Sequence, residues 1–374
     1  MVRVDAHERH GGNLAAASRE LGRPASTLLD ASASLVPFAP GLRLRLKLAA
    51  SALTWKLRAY PDRELQSLRA AIARHHNLDP AWVLPGNGAA ELITWAGRDA
   101  AAAGISALPA PGFSDYSRAL ACWEGASRPW LLPLHWNNSF PQPLPEPPEA
   151  EAIWITNPHN PTGQLWSRDS LDRLLDRHRL VICDEAFLPL VAGGEAHSLI
   201  PRLGEQPRLV VLRSLTKLYG LAGLRLGYAL GHPDRLMRWQ GWRDPWPVNN
   251  LAAAIGEHLL RDDVRHQRHC NQVQRWCSRE GHRLACGLNG LDDRAGALKP
   301  LPSAANYLLV HSERSLLPLR RSLAERHGIL VRDCRSFEGL DARWLRISLQ
   351  DRRGNLRLLK ALRREWTSLT THQE

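Results

Sequence analysis

Short apolar runs alternate along this chain with stretches in which apolar residues recur every three or four positions. The runs are ISAL (105–108), IWIT (153–156), LVIC (180–183), LVVL (209–212) and LGYAL (226–230). Each is bounded by polar or turn-forming residues and reads as a buried strand. Between the runs, Leu171, Leu174 and Leu175 share one face of a helix over 168–178, and Leu65, Leu68 and Ile72 share one face over 62–76. Strands and helices in alternation predict an α/β fold: a mostly parallel sheet covered by helices on both sides. After PWPVNN (245–250) the pattern changes to a long helical stretch over 250–287, YLLV (307–310), a helix near 314–327, LRIS (345–348) and a final helix from Asp351. The chain is therefore expected to comprise an irregular arm over 1–45, interrupted by Pro24, Pro37 and Pro40, a large α/β domain over 46–246, and a smaller α+β domain over 247–374. PQPLPEPPEAE (141–151) reads as a stiff surface connection.

Composition narrows the class. With 374 residues, 44% of them hydrophobic, the chain can bury a large core. It has no apolar run long enough to cross a bilayer. Its first residues, MVRVDAHERHGGN, lack the apolar core of a signal peptide, so a cytoplasmic location is expected. Cys122, Cys183, Cys270, Cys277, Cys286 and Cys334 form no CxxC pair and no zinc-like spacing, so reduced thiols and no metal are expected. The net charge of +12 comes almost wholly from arginine. The arginines are spread evenly, with no basic tail, so no nucleic-acid partner is expected and anionic small molecules are the better match. Lysine is confined to Lys47, Lys56, Lys217, Lys299 and Lys360, so only five positions offer a lysine amine for a Schiff base.

Candidate chemistry lies at the strand ends, where open parallel sheets bind ligands. LPGNGAAELI (84–93) puts a glycine turn before a helix, whose free N–H groups suit a phosphate. NPHNPTG (157–163) holds the amide of Asn160 between prolines. VICDEAF (181–187) ends a buried strand on Asp184, a carboxylate that needs a cation or strong donor to offset desolvation. RSLTKLYGLAGLRLGY (213–228) places Lys217 just after a strand, with Arg225 eight residues on. A partly buried lysine near an arginine has a lowered pKa, which favours imine formation. Each feature alone is an ordinary turn, cap or surface residue in most proteins. Together they meet the needs of pyridoxal 5'-phosphate, whose ring is an electron sink.

These motifs, in this order, resemble the fold-type I pyridoxal-phosphate-dependent aminotransferase superfamily over nearly the whole chain. The resemblance implies that Lys217 carries the cofactor and transfers protons, Asp184 pairs with the ring nitrogen, and Asn160 donates to the ring's O3′. It assigns Ser214, Arg225 and the amides of Gly88 and Ala89 to the cofactor phosphate. It also implies that Phe113 stacks on the ring, that Tyr60 reaches the cofactor of a neighbouring subunit in a homodimer, and that Arg346 binds the substrate carboxylate. HGGN (10–13), PGFSDYSRAL (111–120) and VRDCRSFEGLDARWLRIS (331–348) are most similar to the threonine-phosphate decarboxylase branch and its histidinol-phosphate aminotransferase kin. That branch implies a phosphorylated amino-acid substrate, with His10 and Arg332 helping to bind its anionic groups. The resemblance implies decarboxylation of O-phospho-L-threonine to an aminopropanol phosphate, in cobalamin biosynthesis, as the leading expectation, with transamination of the histidinol-phosphate type, which would use the same residues, as the alternative. Two positions depart from the pattern. Val36 stands where an asparagine is usual, so a substrate hydrogen bond is lost; Phe187 stands where transaminases often carry a tyrosine.

Overall fold

The computed structural model describes residues 10–38, 40–54, 57–135, 137, 139–291 and 297–371. In chain order the elements are α1 (Leu14–Leu21), β1 (Leu29–Ala31), α2 (Leu42–Ala52), α3 (Gln66–His76), β2 (Val83–Asn87), α4 (Gly88–Ala103), β3 (Ser106–Ala110), α5 (Asp115–Ala121), β4 (Ser127–Leu131), β5 (Ala152–Thr156), α6 (Arg168–Leu175), β6 (Leu180–Asp184), β7 (Leu209–Ser214), α7 (Leu215–Tyr219), β8 (Leu226–Gly231), α8 (Pro233–Trp242), α9 (Asn250–Leu260), α10 (Asp263–Asn289), β9 (Lys299–Pro300), β10 (Tyr307–His311), α11 (Leu317–His327), β11 (Ile329–Asp333), β12 (Trp344–Ser348) and α12 (Arg352–Thr371).

Seven strands form one sheet in the order β2-β8-β7-β6-β5-β3-β4. From β7 to β4 all pairings are parallel. Their side chains divide between two apolar layers with a period of two: Ile153, Val181 and Val211 face one cluster, and Trp154, Ile182, Val210 and Leu212 face the other. Both faces are covered, which is why these strands read as continuous apolar runs. Helix α6 closes the first layer with Leu171, Leu174 and Leu175, and α4 and α5 close the second with Leu92, Ile93 and Leu120.

Strand β8 runs against its neighbours β2 and β7. Only the short α7 and a turn connect it to β7, too little chain for a covered parallel crossover. Strands β2 and β4 sit at the two edges of the sheet, and each contains a proline, Pro85 and Pro129. Proline weakens a strand signal in sequence, yet at an edge its missing N–H costs little. Both strands were therefore absent from the periodicity.

The second sheet has the order β1-β11-β12-β10-β9. Its first strand comes from the N-terminal arm, pairing in parallel with β11 from Leu29↔Ile329 to Ala31↔Val331. The arm is thus not irregular as expected. Asn13 caps α1 by accepting from the Ala16 N–H, and Gly22 ends it with φ 61°. Pro24 lies just beyond that helix, and Pro37 and Pro40 lie in the stretch between β1 and α2, so the prolines separate elements rather than preclude them. The connection over 141–151 also departs from a pure surface segment. Gln142 and Leu144 are buried, and Gln142 exchanges backbone hydrogen bonds with Leu165 and Ser167. No helix among the described residues is long and apolar enough to cross a membrane.

Candidate active site

Sheet register brings the motifs to one edge. Asp184 ends β6 opposite Thr156, the last residue of β5, and the Asn157 N–H donates to the Asp184 carbonyl. Ser214, the last residue of β7, pairs with Gly227, and Asn87, at the end of β2, pairs with Leu226. Gly88, which opens α4, therefore lies beside Arg225, the residue that precedes β8. Gly88 has φ +74°, and a Cβ there would stand 2.6 Å from a guanidinium nitrogen of Arg225. Glycine is required on both counts. Arg225 itself adopts φ 55°, a left-handed conformation uncommon for a side-chain-bearing residue. The N–H groups of the first turn of α4, Arg225 and Ser214 thus meet at one place, and Ser214 Oγ is 2.6 Å from Thr216 Oγ1.

Asp184 is buried, and its two oxygens have separate partners. Oδ1 accepts from the Ala186 N–H at 3.0 Å, and Oδ2 accepts from the Tyr116 hydroxyl at 2.9 Å. Burial raises its pKa, while these donors and nearby Lys217 pull the other way. No ion pair to Asp184 occurs among the described residues. Lys217, partly buried on α7, has its Nζ 5.3 Å from the Phe187 ring centre. Burial, followed by the charge of Arg346, lowers its pKa to about 8, with Asp184 opposing and Arg225 assisting. Of the other lysines, Lys47, Lys299 and Lys360 are exposed, and Lys56 lies outside the described residues.

Asn160 and Arg346 meet across the two sheets. Arg346 Nη1 donates to Asn160 Oδ1 at 2.6 Å, which leaves the Asn160 Nδ2 hydrogens for another acceptor. Arg346 Nη2 donates to the Ser32 carbonyl at 3.1 Å, and its Nε is buried without a hydrogen-bond partner. Both partners are neutral, so this buried cation is left uncompensated in a manner that suits an anionic ligand. Directly opposite Arg346, in the β11–β12 register, stands Arg332. It is also buried, donates to Ser336 Oγ at 2.6 Å and lies 5.4 Å over the Phe337 ring. Directly paired residues of neighbouring strands share one face of the sheet, so the two guanidiniums lie on the same side.

The N-terminal HGGN segment reaches this place. A Cβ on Gly11 would stand 2.3 Å from the Ser32 carbonyl oxygen, and the Gly12 N–H donates to Ser32 Oγ at 2.9 Å. The same Ser32 carbonyl holds Arg346. Gly11→Ala is therefore expected to raise KM for an anionic substrate by roughly tenfold, the worth of one hydrogen bond to a charged group. Steady-state kinetics with an unchanged KM would count against this. His10 meets Phe113 edge-on with the ring centres 5.8 Å apart, and its Nε2 lies 3.5 Å from Asp115. Val36 is buried and contributes apolar packing, while Ser34 Oγ bonds Ser348 Oγ at 2.9 Å.

Tyr60 is not joined to these residues within the chain. It is 77% exposed and stacks on Trp246 at 4.4 Å, on the outside of the molecule. Conversely, four contributing residues escape the sequence reading. Tyr116 contacts both Asp184 and Phe113, and its spacing of three from Phe113 was the available sign. Tyr307 packs between Phe187 and Arg346, at 5.3 and 5.0 Å, and its hydroxyl donates to the His159 carbonyl. Glu185 and Arg213, each adjacent to a site residue, form a buried ion pair at 2.7 Å that ties β6 to β7.

The donor set fits pyridoxal phosphate: a lysine with a lowered pKa, a buried carboxylate without a cation, and a helix start beside an arginine. The family model described as aminotransferase class I and II matches residues 43–362. The chain is 35% identical to threonine-phosphate decarboxylase of Salmonella typhimurium, over 96% of this chain and 97% of that protein. It is 30% identical to histidinol-phosphate aminotransferase 1 of Mannheimia succiniciproducens, over 82% and 81%. In structure it superposes on histidinol-phosphate aminotransferase of Sinorhizobium meliloti in complex with pyridoxal-5'-phosphate, with a TM-score of 0.79 and 23% identity over 96% and 95% of the two chains. A lysine-centred site at the strand ends, together with these likenesses, places the chain in the class I and II aminotransferase family of pyridoxal-phosphate enzymes.

Proposed function

We propose that the protein decarboxylates O-phospho-L-threonine to aminopropanol phosphate, as a cytoplasmic homodimer serving cobalamin biosynthesis. The observation that carries this reading is the facing pair of buried guanidiniums, Arg332 and Arg346. Phosphothreonine bears two anionic groups, a carboxylate and a phosphate, and Arg346, buried with its Nε lacking a hydrogen-bond partner, suits the carboxylate that histidinol phosphate does not have. Histidinol phosphate bears only a phosphate. The Salmonella relative's name supports the same substrate class.

When bound, the cofactor supplies an electron sink conjugated to the substrate's Cα. The chain does the rest. Lys217 gives up its place to the substrate's amine, and the amine so freed, its pKa lowered to about 8, would carry a proton to Cα after carbon dioxide has left. Asp184, ionised against a protonated ring nitrogen, keeps the ring electron-withdrawing. The N–H groups of Gly88 and Ala89, with Ser214 and Arg225, anchor the cofactor phosphate. Asn160 donates to the ring oxygen while Arg346 orients it. Phe113 covers the ring. Arg346, Arg332 and His10 hold the substrate's anionic ends and so set which bond to Cα stands across the ring plane. Tyr60, exposed here, completes the phosphate site of a second subunit.

Transamination of the histidinol-phosphate type is the second reading, supported by the Mannheimia relative. Incubating the purified holoenzyme with phosphothreonine distinguishes them. Carbon dioxide and aminopropanol phosphate are expected. Their absence, with amino transfer from glutamate instead, would overturn the proposal.

A further inference from the structure

Tyr116 is fully enclosed, with only 1% of its surface exposed. A buried phenol hydroxyl is costly unless both its donor and acceptor capacities are met. Here they are. The hydroxyl stands 2.9 Å from Asp184 Oδ2 and 2.7 Å from Thr156 Oγ1. An ionised carboxylate only accepts, so Tyr116 donates to Asp184, and Thr156 must then donate to Tyr116. The order Thr156 to Tyr116 to Asp184 has one direction.

We propose that Tyr116 is a positioning residue for Asp184: steered by Thr156, it fixes the aim and the basicity of the carboxylate that meets the cofactor's ring nitrogen. This rests on the reading of Asp184 given above. Among the described residues the second carboxylate oxygen is held only by the Ala186 N–H, so loss of the tyrosine hydroxyl leaves the group less firmly aimed. The ring of Tyr116 is itself locked. It stacks on Trp154 at 5.0 Å, and it meets Phe113 edge-on at 5.6 Å with an interplanar angle of 85°. One side chain thereby braces both the carboxylate and the aromatic assigned to the cofactor's face. Burial, followed by the charge of Asp184, holds the phenol's pKa well above its ordinary value, so its proton stays available for donation.

The consequence is readable without turnover. A carboxylate that has lost a donor is more basic and draws the ring proton toward itself. The ring then withdraws fewer electrons, and the nitrogen linking Lys217 to the cofactor keeps its proton to higher pH. In Tyr116→Phe holoenzyme, the pH midpoint of the visible-band change should rise by about one unit, the order expected for one hydrogen bond to a charged group. Thr156→Val should shift it the same way by less, and Thr156→Ser should restore the wild-type midpoint. A Tyr116→Phe protein of native melting temperature with an unchanged midpoint overturns the proposal. Where Tyr116→Phe fails to fold, equal midpoints in Thr156→Val and Thr156→Ser overturn it equally. Asp184→Asn is the separate control. No shift there refutes the reading of Asp184, whereas a shift there with none in Tyr116→Phe refutes only the role of Tyr116.

Discussion

Lys217→Ala protein should emerge from purification without a visible absorption band and with turnover lowered by about 10⁴-fold or more, since it loses both the covalent anchor and the proton-transfer group. Of the lysines described, it alone is withdrawn from solvent and faces Asp184, Arg346 and Phe187. A band that survives in Lys217→Ala would contradict the assignment. The amine also sets a pH dependence. Its pKa in the folded protein is about 8, below the ordinary 10.5. Reconstitution of apoprotein with added cofactor needs the neutral amine, so its rate should rise about tenfold per pH unit toward pH 8 and level off above it. The sign for stability follows from the same difference. Between pH 8 and 10.5 the unfolded chain binds more protons than the folded one, so apoprotein stability rises with pH across that window. Below pH 8 the penalty is complete, on the order of 3 kcal/mol. Lys217→Met apoprotein should accordingly melt above wild-type apoprotein at pH 7, and the gap should close as the pH is raised toward 10. A wild-type apoprotein whose melting temperature is flat over this range would argue against a suppressed lysine.

The largest loss of stability is expected from Arg213→Leu, about 3–5 kcal/mol, because it leaves a buried carboxylate without its cation. Glu185 is fully enclosed, and its Oε2 accepts from Arg213 Nε at 3.0 Å and from Nη2 at 2.7 Å. The Ser198 hydroxyl, the Leu199 N–H and the Cys183 thiol also donate to it. Burial raises the pKa of Glu185, and Arg213 is the main opposing influence. Burial likewise disfavours the charge on Arg213, yet Glu195 and Glu185 more than offset it. Glu185 follows Asp184, and Arg213 precedes Ser214, so the pair aligns the two strand ends that carry the site. Urea denaturation of apoprotein should show the loss, and cofactor affinity should fall with it. The double variant Glu185→Leu/Arg213→Leu should recover part of the stability, since no buried charge is then stranded. A loss under about 1 kcal/mol in Arg213→Leu, the scale of exposed pairs, would show that the network does not hold the strands.

How far such features can be read before folding depends on the range of the interaction behind them. The five apolar runs became β3, β5, β6, β7 and β8, and the spacing of Leu171, Leu174 and Leu175 became α6, because periodicity is a local property. Lys217 among five lysines, Asp184 at a strand end and Gly88 before a helix were legible for the same reason: each motif spans a few residues. Asn13 and Gly22 also carried the signs of a capped helix, although the arm's prolines masked them. What tertiary structure alone decided is which distant residues meet. Edge placement tolerates the prolines of β2 and β4, and a short connection reverses β8. Strand register sets Arg332 against Arg346 and carries the arm into the second sheet. Tyr116 reaches Asp184 across 68 residues, and Arg346 reaches Asn160 across 186. Local pattern specifies which face of an element is apolar, but not its neighbour, since that choice is made by packing and hydrogen-bond pairing over the whole chain.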